Sequence, residues 1–201
     1  MKKIILFLMF SLMVVTPLLA KSQIDEANAK FTYKGKPIHP LLVKEFSNWL
    51  SDNRPPIITT VDVIAAYDTN KYQQSAIEKR DDWWFVEQEE KDGEFTQRES
   101  YGYHWLGKLA NGCHVLEVGY SGGGSGFFMD LMIIKFSEGG IDWEGKKQKQ
   151  LLMSIVGTHT LGDRYEGKIK VYPDKIVIPA SEDQRGGGSL EKGVELKFPA
   201  R

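Results

Sequence analysis

Gly119-Tyr120-Ser121-Gly122-Gly123 carries the spacing G-x-S-x-G, which in a nucleophile elbow exposes a serine on a strained turn between a strand and a helix. Such a serine attacks an ester or amide carbonyl when a histidine takes its proton and an acid orients that histidine. His104 and Glu117 are the candidate partners, because alternation along neighbouring strands puts Ser121, His104 and Glu117 on one face. In that register His104 sits opposite Gly119, with Ser121 and Glu117 as its diagonal neighbours. His159 is a second candidate base. The stretch 127–136 after the serine has strand rather than helix character, and a glycine-rich hairpin loop explains the five residues more simply.

Other chemistries have less behind them. Residues 121–126 have the glycines of a phosphate cradle, but the G-x-x-x-x-G-K-[ST] pattern is absent. His39, His104, His114 and His159 lack the short spacings of a zinc site, and no D-x-D-x-D-G run offers calcium ligands. No metal and no cofactor is expected. Asp130 stands between Met129 and Leu131 in an apolar run, where a carboxylate is costly unless it is paired or protonated. One expectation is a buried pair with Arg164, Lys135 or a cluster of backbone groups; the other is a site acid with a raised pKa.

The aromatic residues make a second kind of candidate. Trp84, Val86, Tyr101, Tyr103, Trp105, Val118 and Tyr120 fall on one face of three consecutive strands. Trp84, Tyr101, Tyr103, Trp105 and Tyr120 would stack on a sugar or an apolar ligand if that face were open. If a helix covers it, they are core, which is the expectation, since large exposed apolar patches are uncommon. The opposite face carries Ser100, Gly102, His104, Leu106, Glu117, Gly119 and Ser121.

The elements that must hold these residues are read from turns and periodicity. Asp92-Gly93 and Asn111-Gly112 suit two-residue type I′ loops. The first pairs Lys91 with Glu94, Glu87 with Arg98 and Trp84 with Tyr101; the second pairs Trp105 with Val118 and Tyr103 with Tyr120. Residues 126–136 are apolar on both faces and predict a strand covered on both sides. Gly139-Gly140 predicts the next turn, with Phe136 opposite Trp143 and Lys135 opposite Glu144, and 144–150 reads as a solvated basic loop.

Upstream, 21–30 reads as a polar leader and 31–38 as extended chain turning at Lys34-Gly35. Residues 40–50 read as an amphipathic helix with Pro40 at its first position and a stripe of Leu42, Phe46, Trp49 and Leu50. Residues 57–67 are rich in β-branched types and predict a strand. Residues 68–81 predict a loop with at most a helical turn at 72–79. Downstream come a strand at 151–160, a hairpin around Pro173-Asp174, a polar loop at 179–193 and a closing strand in which Val194, Leu196 and Phe198 alternate with Glu195 and Lys197. The expected fold is mainly β, an antiparallel β-sandwich or open barrel of about nine or ten strands with one N-terminal amphipathic helix. The expected division is 1–20 signal peptide, 21–56 N-terminal segment with the covering helix, and 57–201 a single β domain.

The chain has 201 residues, a net charge of −1 and one cysteine, Cys113, so no internal disulfide is possible. Lys2 and Lys3 precede an apolar run from 4 to 15, then Thr16-Pro17 and a small residue, Ala20. The run is shorter than the roughly 20 residues a membrane span needs, and the pattern is that of a secretory signal peptide. Removing it takes away two Lys and no acid, so the charge falls from −1 to −3, a balance that favours neither nucleic acid nor an anionic membrane as partner. The expected protein is exported, to the periplasm or the medium, with no transmembrane span in the mature chain. Its expected role is non-enzymatic binding of a small molecule, a glycan or an envelope protein. The competing expectation is a small secreted serine hydrolase using Ser121.

Overall fold

Period-two alternation from 83 to 163 is what the fold is made of. In a computed structural model, residues 23–47, 58–69, 72, 75–92, 95–143, 145–181 and 192–199 are described. The elements in chain order are α1 (Gln23–Lys30), β1 (Thr32–Tyr33), β2 (Lys36–Pro37), α2 (Pro40–Lys44), β3 (Thr60–Asp62), α3 (Val63–Asp68), β4 (Glu78–Arg80), β5 (Trp83–Asp92), β6 (Phe95–Lys108), β7 (His114–Ser121), β8 (Phe128–Trp143), β9 (Lys146–Asp163), β10 (Lys170–Val171), β11 (Lys175–Ile178) and β12 (Val194–Lys197). Strands β4 to β9 form an antiparallel meander, with β3 added beside β9, in a curled seven-stranded sheet of order β3-β9-β8-β7-β6-β5-β4. Strands β10, β11 and β12 make a three-stranded sheet. The mainly-β antiparallel class read from the sequence is the class observed.

Each face of the large sheet has its own cover. On one, here face A, Val86, Tyr101, Tyr103, Leu116, Val118, Met132, Ile134, Phe136 and Met153 pack with Ala27, Phe31, Ile38, Leu42 and Phe46 of the N-terminal segment. On face B, Val115, Met129, Leu131, Ile133 and Leu161 pack with Ile176 and Ile178 of the small sheet. This explains why β8 is apolar on both sides. Phe31 adopts φ 55, a left-handed conformation that costs an L-residue about 1–2 kcal/mol. Burial of its ring to 1% exposure, against Tyr103 and Phe136, offsets that cost at about 1.5–3 kcal/mol.

The face assignments hold but the register differs. Trp84 faces Tyr103, not Tyr101, because Asp92 is itself in the ladder opposite Phe95; the pairing expected of Lys91 and Glu94 lies outside the described residues. Arg98 faces Glu89 and bonds it at 3.0 Å, while Glu87 bonds Arg80 at 2.5 Å. Trp105 faces Leu116, and Tyr103 faces Val118. Here the connection runs from 109 to 113, held by Leu109 N–H to Cys113 O at 2.8 Å, and a bulge at Leu106 adds one more residue. Both hairpins are displaced by two places, and a displacement of two keeps every side chain on its face.

Four other expectations are corrected. Residues 23–30 form α1, whose Ala27 is fully buried, where a polar leader was expected. The strand expected at 57–67 is cut to β3 because Asp62 caps α3: its side chain accepts from the Ile64 and Ala65 amides at 3.0 and 3.4 Å. Gly139-Gly140 do not turn; β8 runs through them to Trp143, Phe136 faces Met153, Lys135 faces Ser154, and the expected basic loop is the start of β9. The end of the loop expected at 68–81 is the edge strand β4, while at 72–75, where a helical turn was allowed, Ser75 N–H donates to Tyr72 O at 3.3 Å. The expected helix at 40–50 begins at Pro40 as read and is α-helical to Lys44, with His39 rather than a Ser or Asp as its cap; Trp49 and Leu50, and the signal segment 1–20, lie outside the described residues. Lys34-Gly35 turns with both φ values positive, and Pro173-Asp174 joins β10 to β11 as expected.

Candidate functional site

Of the three residues read as a catalytic set, two meet. His104 and Glu117 are direct cross-strand partners on face B, with His104 Nδ1 3.0 Å from Glu117 Oε2. A carboxylate can only accept, so Nδ1 carries the proton in this bond. Ser121 is opposite Ser100, and the Gly102–Gly119 pair stands between that row and the His104–Glu117 row. Two rows are four residues, roughly 13 Å along a strand. The gap is filled: a Cβ on Gly102 would lie 2.3 Å from Phe85 Cδ1, and one on Gly119 2.2 Å from Phe127 Cζ. The rings of Phe85 and Phe127 therefore rest directly on the glycine backbones and separate the serine from the histidine. The expected placement of His104 opposite Gly119 is corrected accordingly. The strand of the G-x-S-x-G pattern is present as β7; beyond it the chain forms a loop and then β8, not a helix.

The aromatic row on face A is placed under the N-terminal segment. Tyr101 and Tyr103 are 2% and 1% exposed. The Tyr103 hydroxyl donates to Ile38 O at 2.7 Å, and the Tyr101 hydroxyl meets Ser47 Oγ at 3.2 Å. Trp84, Trp105 and Tyr120 are half-buried against the same core, with the Tyr120 hydroxyl donating to Glu99 at 2.8 Å. Burial raises the Tyr101 phenol far above its ordinary range. Asp130 is half-buried beside them, opposite Val118 and Thr160. Burial raises its pKa, and a hydrogen bond from Thr160 partly opposes the rise. The expected Arg164 partner is not made, since Arg164 bonds Asp163 at 2.8 Å, and Lys135 is exposed.

An open cleft of ≈ 380 Å³ lies on face B, and its lining brings together residues the sequence reading passed over. Trp83 and Phe85 project from β5 with rings stacked at 5.5 Å and 16°. Phe127 stands edge-on to Trp83 at 6.0 Å and 67°. Tyr165 closes the other side, its hydroxyl donating to Pro179 O at 2.8 Å. Burial, with the nearby Glu117, raises the Tyr165 phenol to about 12, so it is neutral. Glu117, 8% exposed, lines this cleft, and Arg164 and Glu166 stand at its rim. The rim is tied down: Arg164 N–H donates to Phe127 O at 2.8 Å, and Phe127 N–H to Asp163 Oδ1 at 2.7 Å.

The arrangement can grip a ligand by ring faces on one side and a carboxylate on another. No serine, threonine or cysteine is among the described residues that line the cleft. The signal that was available in the sequence is two glycines, Gly102 and Gly119, on one face of neighbouring strands; in the observed register they stand opposite one another and leave room that neighbouring rings fill, and Trp83 and Phe85 share their face. Among the described residues no three His, Cys, Asp or Glu side chains converge as metal ligands. His39 caps α2, His114 is enclosed in the face A core, and His159 Nε2 is buried without a hydrogen-bond partner among the described residues. Among the described residues no helix is long and apolar enough to cross a membrane. Comparison of the chain with protein-family models, with curated proteins and with solved structures gives no match.

Proposed function

We propose that this is an exported, non-enzymatic binding protein of the cell envelope that holds a small ligand in the face B cleft. The observation that carries the reading is the hydrogen-bonded Glu117 carboxylate lining an open cleft walled by Trp83, Phe85 and Phe127. Open clefts with aromatic walls and one or two convergent polar groups are where small ligands bind. The face A row of Trp84, Tyr101, Tyr103, Trp105 and Tyr120 supports the fold instead, since its cover is part of the core. Export rests on the basic and apolar pattern of residues 1–20.

The test is a thermal-shift screen of the full chain with N-acetylglucosamine, maltose, choline and tryptamine as probes. At least one is expected to raise the melting temperature, with the rise lost in Trp83→Leu and kept in Ser121→Ala. A response to none of them, or an equal response in Trp83→Leu, overturns the cleft as the site. Ester hydrolysis that disappears in Ser121→Ala would replace this reading with the hydrolase. Fusing residues 1–20 to a phosphatase active only outside the cytoplasm tests export; an inactive fusion removes that half of the proposal.

A further inference from the structure

We propose that the face B cleft takes a compact organic ammonium group, seated against the Trp83, Phe85 and Phe127 rings with Glu117 as its counter-ion; the inference rests on that cleft being the binding site. Charge comes first. Glu117 and Glu166 line the cleft with one cation, Arg164, and Arg164 is paired with Asp163 at 2.8 Å. The local balance is therefore negative, and a cationic ligand completes it.

Ring geometry comes second. An aromatic face is the negative part of its quadrupole and attracts a cation within about 6 Å of the ring centroid. Phe85 and Phe127 are seated on Gly102 and Gly119 and cannot sink further, so these walls are set before any ligand arrives. One of these rings already meets a cation of the chain outside the cleft lining: Arg80 Cζ lies 5.5 Å over the Phe85 ring, and its guanidinium is paired with Glu78 and Glu87.

Hydrogen-bonding capacity comes third. A sugar needs donors as well as acceptors from its site. Three donors around this cleft are in use: the Tyr165 hydroxyl on Pro179 O, the Arg164 amide on Phe127 O and the Glu166 amide on Ser181 Oγ. A carboxylate bonded through one oxygen to His104 offers a counter-charge and acceptor capacity, and an ammonium group needs no donor from its site.

The test is calorimetric titration of the full chain with choline and with 3,3-dimethyl-1-butanol, which has the same shape without the charge. Choline is expected to bind about tenfold more tightly than the alcohol. Glu117→Gln is expected to remove that preference, and Glu166→Gln, at the exposed rim, to reduce it while leaving the fold intact. Equal affinity for choline and the alcohol, or a preference that survives both substitutions, overturns the ammonium assignment. Trp83-dependent binding of the alcohol or of N-acetylglucosamine without preference for choline overturns it and leaves the cleft reading standing. Binding by none of the probes overturns both.

Discussion

Neither ring nitrogen of His114 has a hydrogen-bond partner among the described residues, and its ring is enclosed by Phe31, Phe136 and Trp105 at 5.5, 5.4 and 6.1 Å. Burial, with the Lys108 charge adding to it, lowers its pKa to about 4. The unfolded chain takes up the proton near 6.5 and the folded chain does not, so stability falls as pH drops from about 6.5 to about 4 and then levels. The size is about 3 kcal/mol. His39 acts in the same direction: burial lowers its pKa, and its Nδ1 must stay unprotonated to accept the Leu41 amide that starts α2. Urea unfolding at pH 7 and pH 4 is expected to show this loss in the wild type, and His114→Leu is expected to lose about 3 kcal/mol less between the two; equal slopes would contradict the assignment. Asp130 has the opposite sign. Its pKa is raised by burial, so its charged form costs stability at neutral pH. Asp130→Asn is expected to raise the melting temperature at pH 7, with the gain vanishing in acid, where the wild-type carboxyl is neutral too.

At the scale of elements, the glycine pair on β6 and β7 decides where the rings of face B can go. Gly119→Ala would put a methyl 2.2 Å from Phe127 Cζ, and overpacking of this kind costs about 1–3 kcal/mol. Gly124→Ala, where nothing lies within 4 Å, is the matched control and is expected to leave chemical unfolding unchanged. Asp62→Ala removes the cap of α3 and is expected to cost about 1 kcal/mol, read from the same unfolding curves. These elements also show what could be read in advance. Which residues share a face was legible, because alternation fixes parity and both hairpins moved by two places. The pairing of particular residues was not, because it depends on connection length and on the Leu106 bulge, neither of which leaves a composition signal. Gly139-Gly140 misled for a physical reason: a glycine dipeptide suits a turn, but Gly139 also accommodates Leu152, whose Cδ1 would lie 2.9 Å from an added Cβ. Asp62 was legible as a cap in principle and was outweighed by the β-branched residues around it.

At the scale of the molecule, one sheet divides the chain's work. The N-terminal segment closes face A, the small sheet closes part of face B, and the remainder of face B is the cleft beside His104 and Glu117. The candidate site was half legible: the sequence put His104 and Glu117 together on the correct face, and it also drew in Ser121, which only the two-place displacement and the intervening rings remove. Trp83, Phe85, Phe127 and Tyr165 were missed because a cleft is a product of tertiary packing, and Tyr165 arrives from 48 positions beyond Glu117. Face A is closed and the face B cleft is open to solvent, and this division is what the rest follows from. Its most direct measurement is the broadening of tryptophan indole N–H resonances by a soluble nitroxide, with assignments from Trp83→Phe and Trp105→Phe. Trp83 lines the cleft, while the Trp105 indole nitrogen is buried in face A. The Trp83 resonance is expected to broaden at low nitroxide concentration and the Trp105 resonance to persist. A protected Trp83 beside an accessible Trp105 would contradict it and move the candidate surface to face A.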